Sequence, residues 1–253
     1  MHAERYERVT PVQTAMRERF MLRVHASVSG FPVRRILELG CGTGPMTLWL
    51  RNEFPEAEIT AVDIAPGMID VARSRVGRVN WVVADAESLL PEASAYYDLI
   101  VSNATVQWFQ QPEDTLRYFQ RRLTPGGLMA WTTFGPKTFQ ELQTSFQAAY
   151  DQLGIPARPH NLPMLSMSYW TERFPEAEHE EAVYSCTYPD VRDFLRAVQL
   201  AGASYSPSGN QPLPRALVRA MMAYYQKHYP VANAAGIRAT YHALFFYYRS
   251  MGR

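Results

Sequence analysis

Short apolar segments alternate with helical segments of roughly ten residues between positions 35 and 134, and this alternation limits the possible folds more than any other feature. Strands are predicted over Arg35–Leu39, Glu58–Asp63, Val79–Ala84, Tyr97–Asn103 and Gly127–Phe134, and helices over Pro45–Glu53, Pro66–Val76 and Asp114–Leu123. Parallel strands that are joined by helical crossovers form one sheet with helices on both faces. The first half of the chain therefore predicts a doubly wound α/β fold.

The segments on either side of this alternation follow a different pattern. Residues 1–30 are predicted to form a lead-in helix. After Phe134 the sequence predicts a helix over 137–153, an irregular stretch over 154–180, a strand over Ala182–Thr187, helices over Val191–Leu200 and Leu213–His228, and a buried strand over Ala239–Tyr248. We therefore expect a mostly parallel sheet of seven strands, with a helical cap inserted after the fifth strand.

The composition argues against several classes of protein. Of the 253 residues, 47% are hydrophobic and 19% are charged, which is typical of a globular chain. The net charge of +1 argues against a nucleic-acid binder with a basic surface. Two cysteines, Cys41 and Cys186, are too few for a disulfide framework or a four-cysteine zinc site. The charged start and the lack of a long uncharged apolar run predict no signal peptide and no membrane helix, so we expect a cytoplasmic protein.

A glycine-rich turn follows the first predicted strand. Residues 37–44 read Leu-Glu-Leu-Gly-Cys-Gly-Thr-Gly, and glycines at 40, 42 and 44 let the backbone approach a ligand. This spacing differs from the G-x-G-x-x-G of dinucleotide sites, which disfavours an NAD dehydrogenase. Glu38 would repel a pyrophosphate and attract a cationic amino-acid ligand. A tight turn without a ligand is the alternative, and we interpret Cys41 as a small turn residue.

Polar residues also follow the next three predicted strands. Asp63 ends the second strand, at a position from which a carboxylate can accept hydrogen bonds from both ribose hydroxyls. Asp85 and Ala86 follow the third strand, where a side chain and a backbone N–H can bind an adenine edge, and Asn103 ends the fourth. Open α/β sheets bind ligands at the carboxyl ends of their strands. A chance array of surface polar residues explains this arrangement less well.

These motifs resemble the class I S-adenosylmethionine-dependent methyltransferases over residues 35–135. The segments ELGCGTG at 38–44, ADAESL at 84–89, YDLIVSN at 97–103 and LTPGGLM at 123–129 occur in that family's order. The resemblance implies a Rossmann-like sheet that binds the methionine end of S-adenosyl-L-methionine on the glycine loop, the ribose on Asp63 and the adenine on Asp85 and Ala86. The cofactor-binding residues that it implies are Glu38, Gly40, Cys41, Gly42, Gly44, Asp63, Ile64, Met68, Asp85, Ala86 and Asn103.

The segment after the fourth strand narrows the resemblance. Residues 102–108 read S-N-A-T-V-Q-W, which is similar to enzymes that esterify carboxylates: the malonyl-[acyl-carrier protein] methyltransferases of biotin synthesis and the trans-aconitate methyltransferases. Residues 132–142, 194–204 and 239–242, and the spacing of Tyr6 and Gln13, favour the malonyl type. An upstream Phe of that subfamily has no counterpart here, and 154–185 matches poorly. Gln107 and Trp108 are implied to line the substrate pocket; core packing is the alternative for Trp108.

The implied reaction is methyl transfer to the free carboxylate of malonyl-acyl carrier protein, giving the methyl ester that starts pimeloyl and biotin synthesis. A carboxylate is already ionised at pH 7, so positioning and desolvation matter more than a general base. The expected catalytic residues are Arg196, whose guanidinium matches a carboxylate, Tyr6 and Tyr241. The alternatives are an exposed helix residue for Arg196 and a tethering aromatic for Tyr6. We interpret His242 as a packed histidine.

Charge is unevenly spread along the second half of the chain. Residues 190–253 carry eight Lys or Arg and two Asp, whereas 137–189 carry three basic and seven acidic residues. The basic stretch either forms solvated helix faces or docks an acidic partner, here the acyl carrier protein. We expect no metal, no nucleic acid and no membrane as a partner.

We expect one methyltransferase domain over residues 1–253. Its parts are a helical arm (1–30), a cofactor-binding core (31–136), a cap (137–181) and a C-terminal sheet with helices (182–253). Two functional alternatives stay open: a methyltransferase for a small free acid of the trans-aconitate type, and a non-catalytic relative that serves an assembly. The intact glycines and Asp63 count against the second.

Overall fold

The computed structural model describes residues 11–89, 96–160, 163–200, 213–232 and 235–251. Its strands are β1 (Arg35–Leu39), β2 (Glu58–Asp63), β3 (Val79–Val83), β4 (Tyr97–Ser102), β5 (Leu123–Phe134), β6 (Glu178–Tyr188) and β7 (Ile237–Arg249). They form one sheet in the order β3-β2-β1-β4-β5-β7-β6. β7 runs antiparallel to both of its neighbours, and the other strand pairs are parallel. The predicted mostly parallel sheet of seven strands is confirmed.

Helices cover both faces of this sheet. They are α1 (Pro11–Val28), α2 (Pro45–Glu53), α3 (Pro66–Arg75), α4 (Pro112–Gln120), α5 (Gln140–Leu153), α6 (Met167–Arg173), α7 (Val191–Leu200) and α8 (Arg215–His228). A proline in the first turn starts α2, α3 and α4, where its missing N–H costs nothing. The larger core lies between one face and α1, α2, α5, α7 and α8, whereas α4 and α6 pack on the other face. In the part of the chain described, no helix is long and apolar enough to cross a membrane.

The direction in which the sheet grows reverses between β1 and β4. β1 pairs with β2 on one side and with β4 on the other, so the loops that leave their carboxyl ends diverge. Ser102 at the end of β4 joins the two strands, because its hydroxyl donates a hydrogen bond to the Leu39 carbonyl at 3.0 Å. Crevices at such reversal points are where open α/β sheets bind ligands.

β7 lies between β5 and β6 and is buried on both faces. Tyr241 and Phe245 belong to the larger core, whereas Leu244 and Phe246 belong to the core on the other face. A strand that is buried on both sides needs apolar residues at successive positions. The predicted buried strand over Ala239–Tyr248 is confirmed, with slightly wider bounds.

The structure corrects two of the predicted segments. The helix predicted over Asp114–Leu123 ends at Gln120, because Leu123 already pairs with Tyr97 in the sheet. The stretch 154–180, predicted to be irregular, contains α6 and the start of β6. Ser166 caps α6 by accepting a hydrogen bond from the Tyr169 N–H at 3.1 Å. This capping serine precedes a helix of only seven residues, too short for a clear periodic pattern.

β6 begins four residues earlier than predicted, within an acidic run that resembles a loop. Glu180 forms an ion pair with Arg19 of α1 at 2.6 Å, and Glu178 pairs with Arg23 one turn further along the same helix. These glutamates therefore lie on an edge strand, and their ion-pair partners are arginines of the first helix, α1. A local sequence pattern does not contain that pairing.

Candidate functional site

The loop after β1 is shaped by its three glycines. Gly40 has a φ of +75°, and a Cβ there would lie 2.1 Å from the Thr105 hydroxyl oxygen, so this position excludes any side chain. Gly42 has a φ of +54°, but a Cβ there would meet no atom within 4 Å. Gly40 is thus required by packing. Gly42 leaves open space beside its backbone.

Asp63 at the end of β2 is tied to this loop. Its Oδ2 accepts a hydrogen bond from the Gly42 N–H at 2.8 Å, and its Oδ1 accepts one from the Ala65 N–H at 2.9 Å. Ile64, the next residue, exposes 68% of its surface although it is apolar. A carboxylate that is held by backbone donors beside an exposed apolar side chain suits a ligand with a sugar hydroxyl and a flat ring.

Glu38 lies beneath the glycine loop and is only 3% exposed. Its Oε2 accepts a hydrogen bond from the Thr47 hydroxyl of α2 at 2.6 Å. Burial raises the pKa of the Glu38 carboxyl to about 7, and the nearby Asp63 carboxylate adds to that shift. The sequence pointed to Glu38 but not to Thr47, whose only signal is its position on the inward face of the predicted helix.

The ends of β3 and β4 supply the other predicted cofactor residues. Asp85 Oδ1 accepts a hydrogen bond from the Glu87 N–H at 2.9 Å, which closes a tight turn around the buried Ala86. Asn103 Oδ1 accepts a hydrogen bond from the Thr132 hydroxyl of β5 at 2.9 Å. Ala104 has a left-handed φ of 52°, and its N–H donates to the same Thr132 oxygen at 2.8 Å. Met68 is half-buried on α3.

Glu87 is a supporting residue that the motifs did not indicate. Its two carboxylate oxygens accept hydrogen bonds from the N–H groups of Gln110 and Gln111, at 2.8 and 2.7 Å, just before α4. The side chain therefore holds the turn after β3 against the segment that follows β4. Its sequence signal is weak, because a Glu two residues after Asp85 is unremarkable on the surface of a loop.

Gln107 and Trp108 lie on a 3₁₀ turn, Val106–Trp108, above the ends of β4 and β5. The Gln107 side-chain amide donates to the Ala104 carbonyl at 2.6 Å, and its oxygen accepts a hydrogen bond from the Thr133 hydroxyl at 3.4 Å. Trp108 is 40% exposed, so it is not a core residue. The turn presents an amide and an indole at the edge where the predicted substrate would lie.

Two of the three predicted catalytic residues lie in the described ranges, one buried and one exposed. Tyr241 is buried on β7, its hydroxyl lies 2.8 Å from the Tyr188 hydroxyl, and burial raises its pKa far above the usual range of a tyrosine. Arg196 on α7 points into solvent with a side chain that is 66% exposed, and its Nη1 pairs with Asp193 Oδ1 at 3.0 Å. Tyr6 lies outside the described residues.

His242 and Cys41 occupy packed positions. The His242 ring is buried, its Nε2 lies 2.8 Å from Glu181 Oε2, and a Cβ on Gly135 would lie 2.4 Å from its Nδ1. The ring thus fills the space that Gly135 leaves. Burial and the nearby carboxylates of Glu38 and Asp63 raise the pKa of the Cys41 thiol, so that it stays protonated and unreactive.

The residues around the glycine loop fit S-adenosyl-L-methionine, the ligand that the resemblance implies. Gly42 opens a cradle at the backbone, and the buried Thr43 hydroxyl has no hydrogen-bond partner within the described ranges. Glu38 and Asp63 place two carboxyl groups beside the loop, which suits a cationic ligand, and Ile64 offers an apolar surface for a ring. No cluster of three potential metal ligands occurs in the described part of the chain.

Comparison with known proteins gives two kinds of likeness. A family model described as a methyltransferase domain matches residues 37–131. A malonyl-[acyl-carrier protein] O-methyltransferase from Anoxybacillus flavithermus is 39% identical over 96% of this chain and 92% of its own length. The enzyme of that name from Bacillus anthracis is 34% identical over 98% of this chain and 93% of its own length.

Solved structures show the same fold at lower identity. The YcgJ protein from Bacillus subtilis matches 90% of this chain and all of its own, with a TM-score of 0.57 and 17% identity. The plantazolicin methyltransferase BpumL, solved in complex with SAH, matches 98% of this chain and 89% of its own, with a TM-score of 0.52 and 15% identity. At these identities the likeness establishes the fold and nothing more.

Proposed function

Because the chain belongs to the malonyl-[acyl-carrier protein] O-methyltransferase family, we propose that it transfers a methyl group from S-adenosyl-L-methionine to the free carboxylate of malonyl-acyl carrier protein. The product, a methyl ester, would start pimeloyl and biotin synthesis. The observation that carries the proposal is the reach of the similarity. It extends over 96% of the chain, past residue 131, where the general methyltransferase domain ends, and through the half that supplies β6, α7, α8 and β7.

The proposed cofactor site uses groups that are already in place. The methyl donor supplies an electrophilic carbon on a sulfonium, and no proton has to be removed from a carboxylate nucleophile at pH 7. The chain therefore has to hold the donor in line with the acceptor. Gly42 lets the backbone approach, Asp63 is oriented by two backbone N–H groups for the ribose, and Asp85 is held in its turn for the adenine.

The proposed substrate site lies on the β5 side of the crevice. Gln107 and Trp108 form its wall, with Gln107 fixed to Ala104 and Thr133. We assign Arg196 to the substrate carboxylate, since its guanidinium donates two parallel hydrogen bonds. Its exposed pair with Asp193 is worth no more than about 1 kcal/mol, so substrate can displace it. Tyr241 and Tyr6 are assigned as further contacts of the substrate.

The carrier protein is proposed to dock on one part of the basic stretch, which we call the α7–α8 patch: Arg192, Arg196, Arg215, Arg219 and Lys227, all exposed. α7 begins directly after β6 ends, and α8 is followed by the start of β7, so both helices adjoin the edge of the sheet that carries the site. Arg249 lies at the opposite end of β7, where it binds the carbonyl of Gly126 at 2.7 Å. The patch therefore excludes Arg249.

Mass spectrometry after incubation with labelled S-adenosyl-L-methionine tests the proposal directly. We expect a gain of one methyl group on malonyl-acyl carrier protein and none on acetyl-acyl carrier protein, which lacks the free carboxylate. Malonyl-coenzyme A and trans-aconitate separate a carrier-dependent enzyme from one that methylates small acids. Methylation of the acetyl form would overturn the carboxylate mechanism, and preferential methylation of trans-aconitate would overturn the proposed substrate.

A further inference from the structure

We infer that the Thr132 hydroxyl positions the substrate half of the site: it holds Ala104 in a left-handed conformation and thereby places the 3₁₀ turn Val106–Trp108. The inference rests on the proposed function, because Gln107 and Trp108 of this turn are assigned there to the wall of the substrate site. It makes Thr132 a positioning residue, which acts on the substrate through the turn.

Thr132 is a fully buried polar residue between apolar neighbours on one face of β5. Ala130 and Phe134 both belong to the larger core, and alternate residues of a strand share a face, so Thr132 faces that core. Valine has nearly the same shape and would fill this position without a hydroxyl, whose burial is unfavourable unless it is hydrogen-bonded. The hydroxyl, and not the volume, is therefore what distinguishes threonine at this position.

Both hydrogen-bonding capacities of the Thr132 hydroxyl are directed at the two residues that follow β4. The hydroxyl accepts a hydrogen bond from the Ala104 N–H at 2.8 Å and donates one to Asn103 Oδ1 at 2.9 Å. These lengths are close to ideal. On the other side of the turn, the Thr105 hydroxyl lies 3.4 Å from the Gly40 carbonyl oxygen, a much weaker contact. Thr132 is thus the tighter of these two anchors.

Ala104 is held in a conformation that alanine rarely adopts. Its φ is 52°, in the left-handed region that residues with a Cβ enter only at a cost in free energy. Such a conformation persists where its surroundings restrain it, and the hydrogen bond from its N–H to Thr132 supplies a restraint. The Ala104 carbonyl in turn accepts a hydrogen bond from the Gln107 amide at 2.6 Å. The conformation of Ala104 therefore sets the position of Gln107.

The next residue of β5 holds the same turn from the opposite face of the sheet. The Thr133 hydroxyl donates a hydrogen bond to Gln107 Oε1 at 3.4 Å, and its side chain lies on the other face from that of Thr132. The turn therefore lies across the end of β5, between two threonines. Trp108 is the last residue of the turn, so a change in the backbone at Ala104 should move its half-exposed indole.

Thr132→Val removes the hydroxyl and keeps the shape of the side chain. The kcat/KM for malonyl-acyl carrier protein should fall by roughly tenfold, the size expected for loss of a pair of buried hydrogen bonds. The Kd of S-adenosyl-L-methionine should change far less, since Gly42 and Asp63 are not held by Thr132. Thr132→Ser keeps the hydroxyl and should retain most of the kcat/KM. Ser145→Ala removes a buried hydroxyl from α5 and controls for a general loss of stability; its kcat/KM should match wild type.

Ala104→Gly separates a conformational role of the hydroxyl from simple packing. Glycine adopts a positive φ without a steric penalty, so it needs no restraint from Thr132. The double variant Thr132→Val with Ala104→Gly should therefore recover several-fold in kcat/KM over Thr132→Val, and Ala104→Gly alone completes the double-mutant cycle. A double variant that is as impaired as Thr132→Val would overturn the inference, because the hydroxyl would then not act through Ala104.

Fluorine NMR of protein labelled with fluorotryptophan follows the turn without any turnover. The signal of Trp108 is identified by its loss in Trp108→Phe. In Thr132→Val this signal should shift or broaden, and in the double variant it should return toward its wild-type position. The signals of Trp49 and Trp81, on α2 and β3, should stay in place. An unchanged Trp108 signal in Thr132→Val, or a wild-type kcat/KM, would show that the hydroxyl serves stability alone.

A further variant keeps the test decisive if Thr132→Val folds poorly. Thr132→Cys keeps a weak donor in a similar volume, so the same changes are expected at a smaller size. A wild-type protein that leaves malonyl-acyl carrier protein unmethylated would contradict the proposed substrate. The Trp108 signal of the free protein would still support or overturn the placement of the turn by Thr132, because it requires no substrate.

Discussion

The two halves of the crevice are built in different ways. At the ends of β1 to β4, short hydrogen bonds hold the polar side chains: backbone N–H groups hold Asp63 and Asp85, and threonine hydroxyls hold Glu38 and Asn103. At the ends of β5 to β7, the predicted functional groups lie in an aromatic core or in solvent. Tyr241 is bound to Tyr188 in that core, and Arg196 is paired with Asp193 at the surface.

We therefore expect the cofactor half to be preformed, and the substrate half to reach its final arrangement only when the substrate binds. Backbone donors in tight turns cost no reorganisation when a ligand arrives, so the cofactor half is ready to bind. In the proposed mechanism, Arg196 has to leave Asp193 and lose side-chain entropy before it holds a carboxylate. Substitutions in the first half should therefore change stability and cofactor affinity. Those in the second half should change mainly kcat/KM.

The largest effect is expected from Gly40→Ala. The new Cβ would lie 2.1 Å from the Thr105 hydroxyl in a left-handed conformation, so the free energy of unfolding should fall by roughly 2–5 kcal/mol. Gly42→Ala has free space and should lose only about 1–2 kcal/mol, while cofactor binding is lost because the cradle is filled. Urea unfolding measures the loss of stability, and calorimetry measures cofactor binding. Equal losses of stability would show that the loop is not preformed by packing.

Asp63→Ala should weaken binding of S-adenosyl-L-methionine by about 1.5–3 kcal/mol, the scale of hydrogen bonds to a charged group. Calorimetry measures this change. Asp70→Ala, at an exposed position on the neighbouring helix α3, is the matched control and should leave affinity unchanged. Unchanged affinity for Asp63→Ala would remove the assignment of that residue to the ribose and weaken the idea of a preformed half.

The sequence predicted the positions of the residues in the proposed cofactor half better than those in the substrate half, and the reason is physical. Each of its residues lies where one predicted strand passes into a loop. Asp63, Asp85 and Asn103 stand at or just after the ends of strands that the alternation of strands and helices predicts. The partners that hold them are often distant. Thr132 of β5 supports Asn103 from 29 positions away in the sequence, and outside this half Glu180 of β6 pairs with Arg19 of α1. Such contacts depend on the order of the strands, which a local pattern does not contain.

Arg196 tests the second half of the comparison. Arg196→Ala should lower kcat/KM by roughly 10- to 100-fold through loss of a charged hydrogen-bond pair. Arg196→Lys should lower kcat/KM nearly as much, because lysine lacks the two parallel N–H donors of the guanidinium. Both variants should keep their stability within about 0.5 kcal/mol, since the residue is exposed. Asp193→Ala is the control and should keep kcat/KM. If Arg196→Ala retains wild-type kcat/KM, the carboxylate is held elsewhere, and Tyr241 or Tyr6 is next.

Tyr241 and Tyr188 share one buried hydrogen bond, so Tyr241→Phe and Tyr188→Phe should each cost about 1 kcal/mol of stability, and the double variant little more. Their kinetics should differ. Loss of a neutral hydrogen bond to the substrate should lower kcat/KM of Tyr241→Phe by about 2- to 10-fold, with Tyr188→Phe close to wild type. Equal kinetics in the two variants would assign Tyr241 to packing alone.

The smallest effect is expected from the α7–α8 patch, because exposed charges attract a partner weakly and salt screens them. Raising salt from about 50 to 500 mM, which shortens the screening length to roughly 5 Å, should raise KM for malonyl-acyl carrier protein severalfold. A free malonyl thioester that is too small to reach the patch should show a smaller change.

Charge reversal locates the effect. Arg215→Glu with Arg219→Glu should raise KM for malonyl-acyl carrier protein and flatten its dependence on salt, because the attraction that salt screens is gone. The single variants Arg215→Glu and Arg219→Glu are compared with Arg121→Glu, which lies exposed after α4 on the other face of the sheet and should leave KM unchanged. Arg215→Glu and Arg219→Glu should slow association with the carrier and leave kcat unchanged, since neither side chain is proposed to contact the methylated carboxylate. An equal rise in KM for Arg121→Glu would mean that net charge, and not this surface, attracts the carrier.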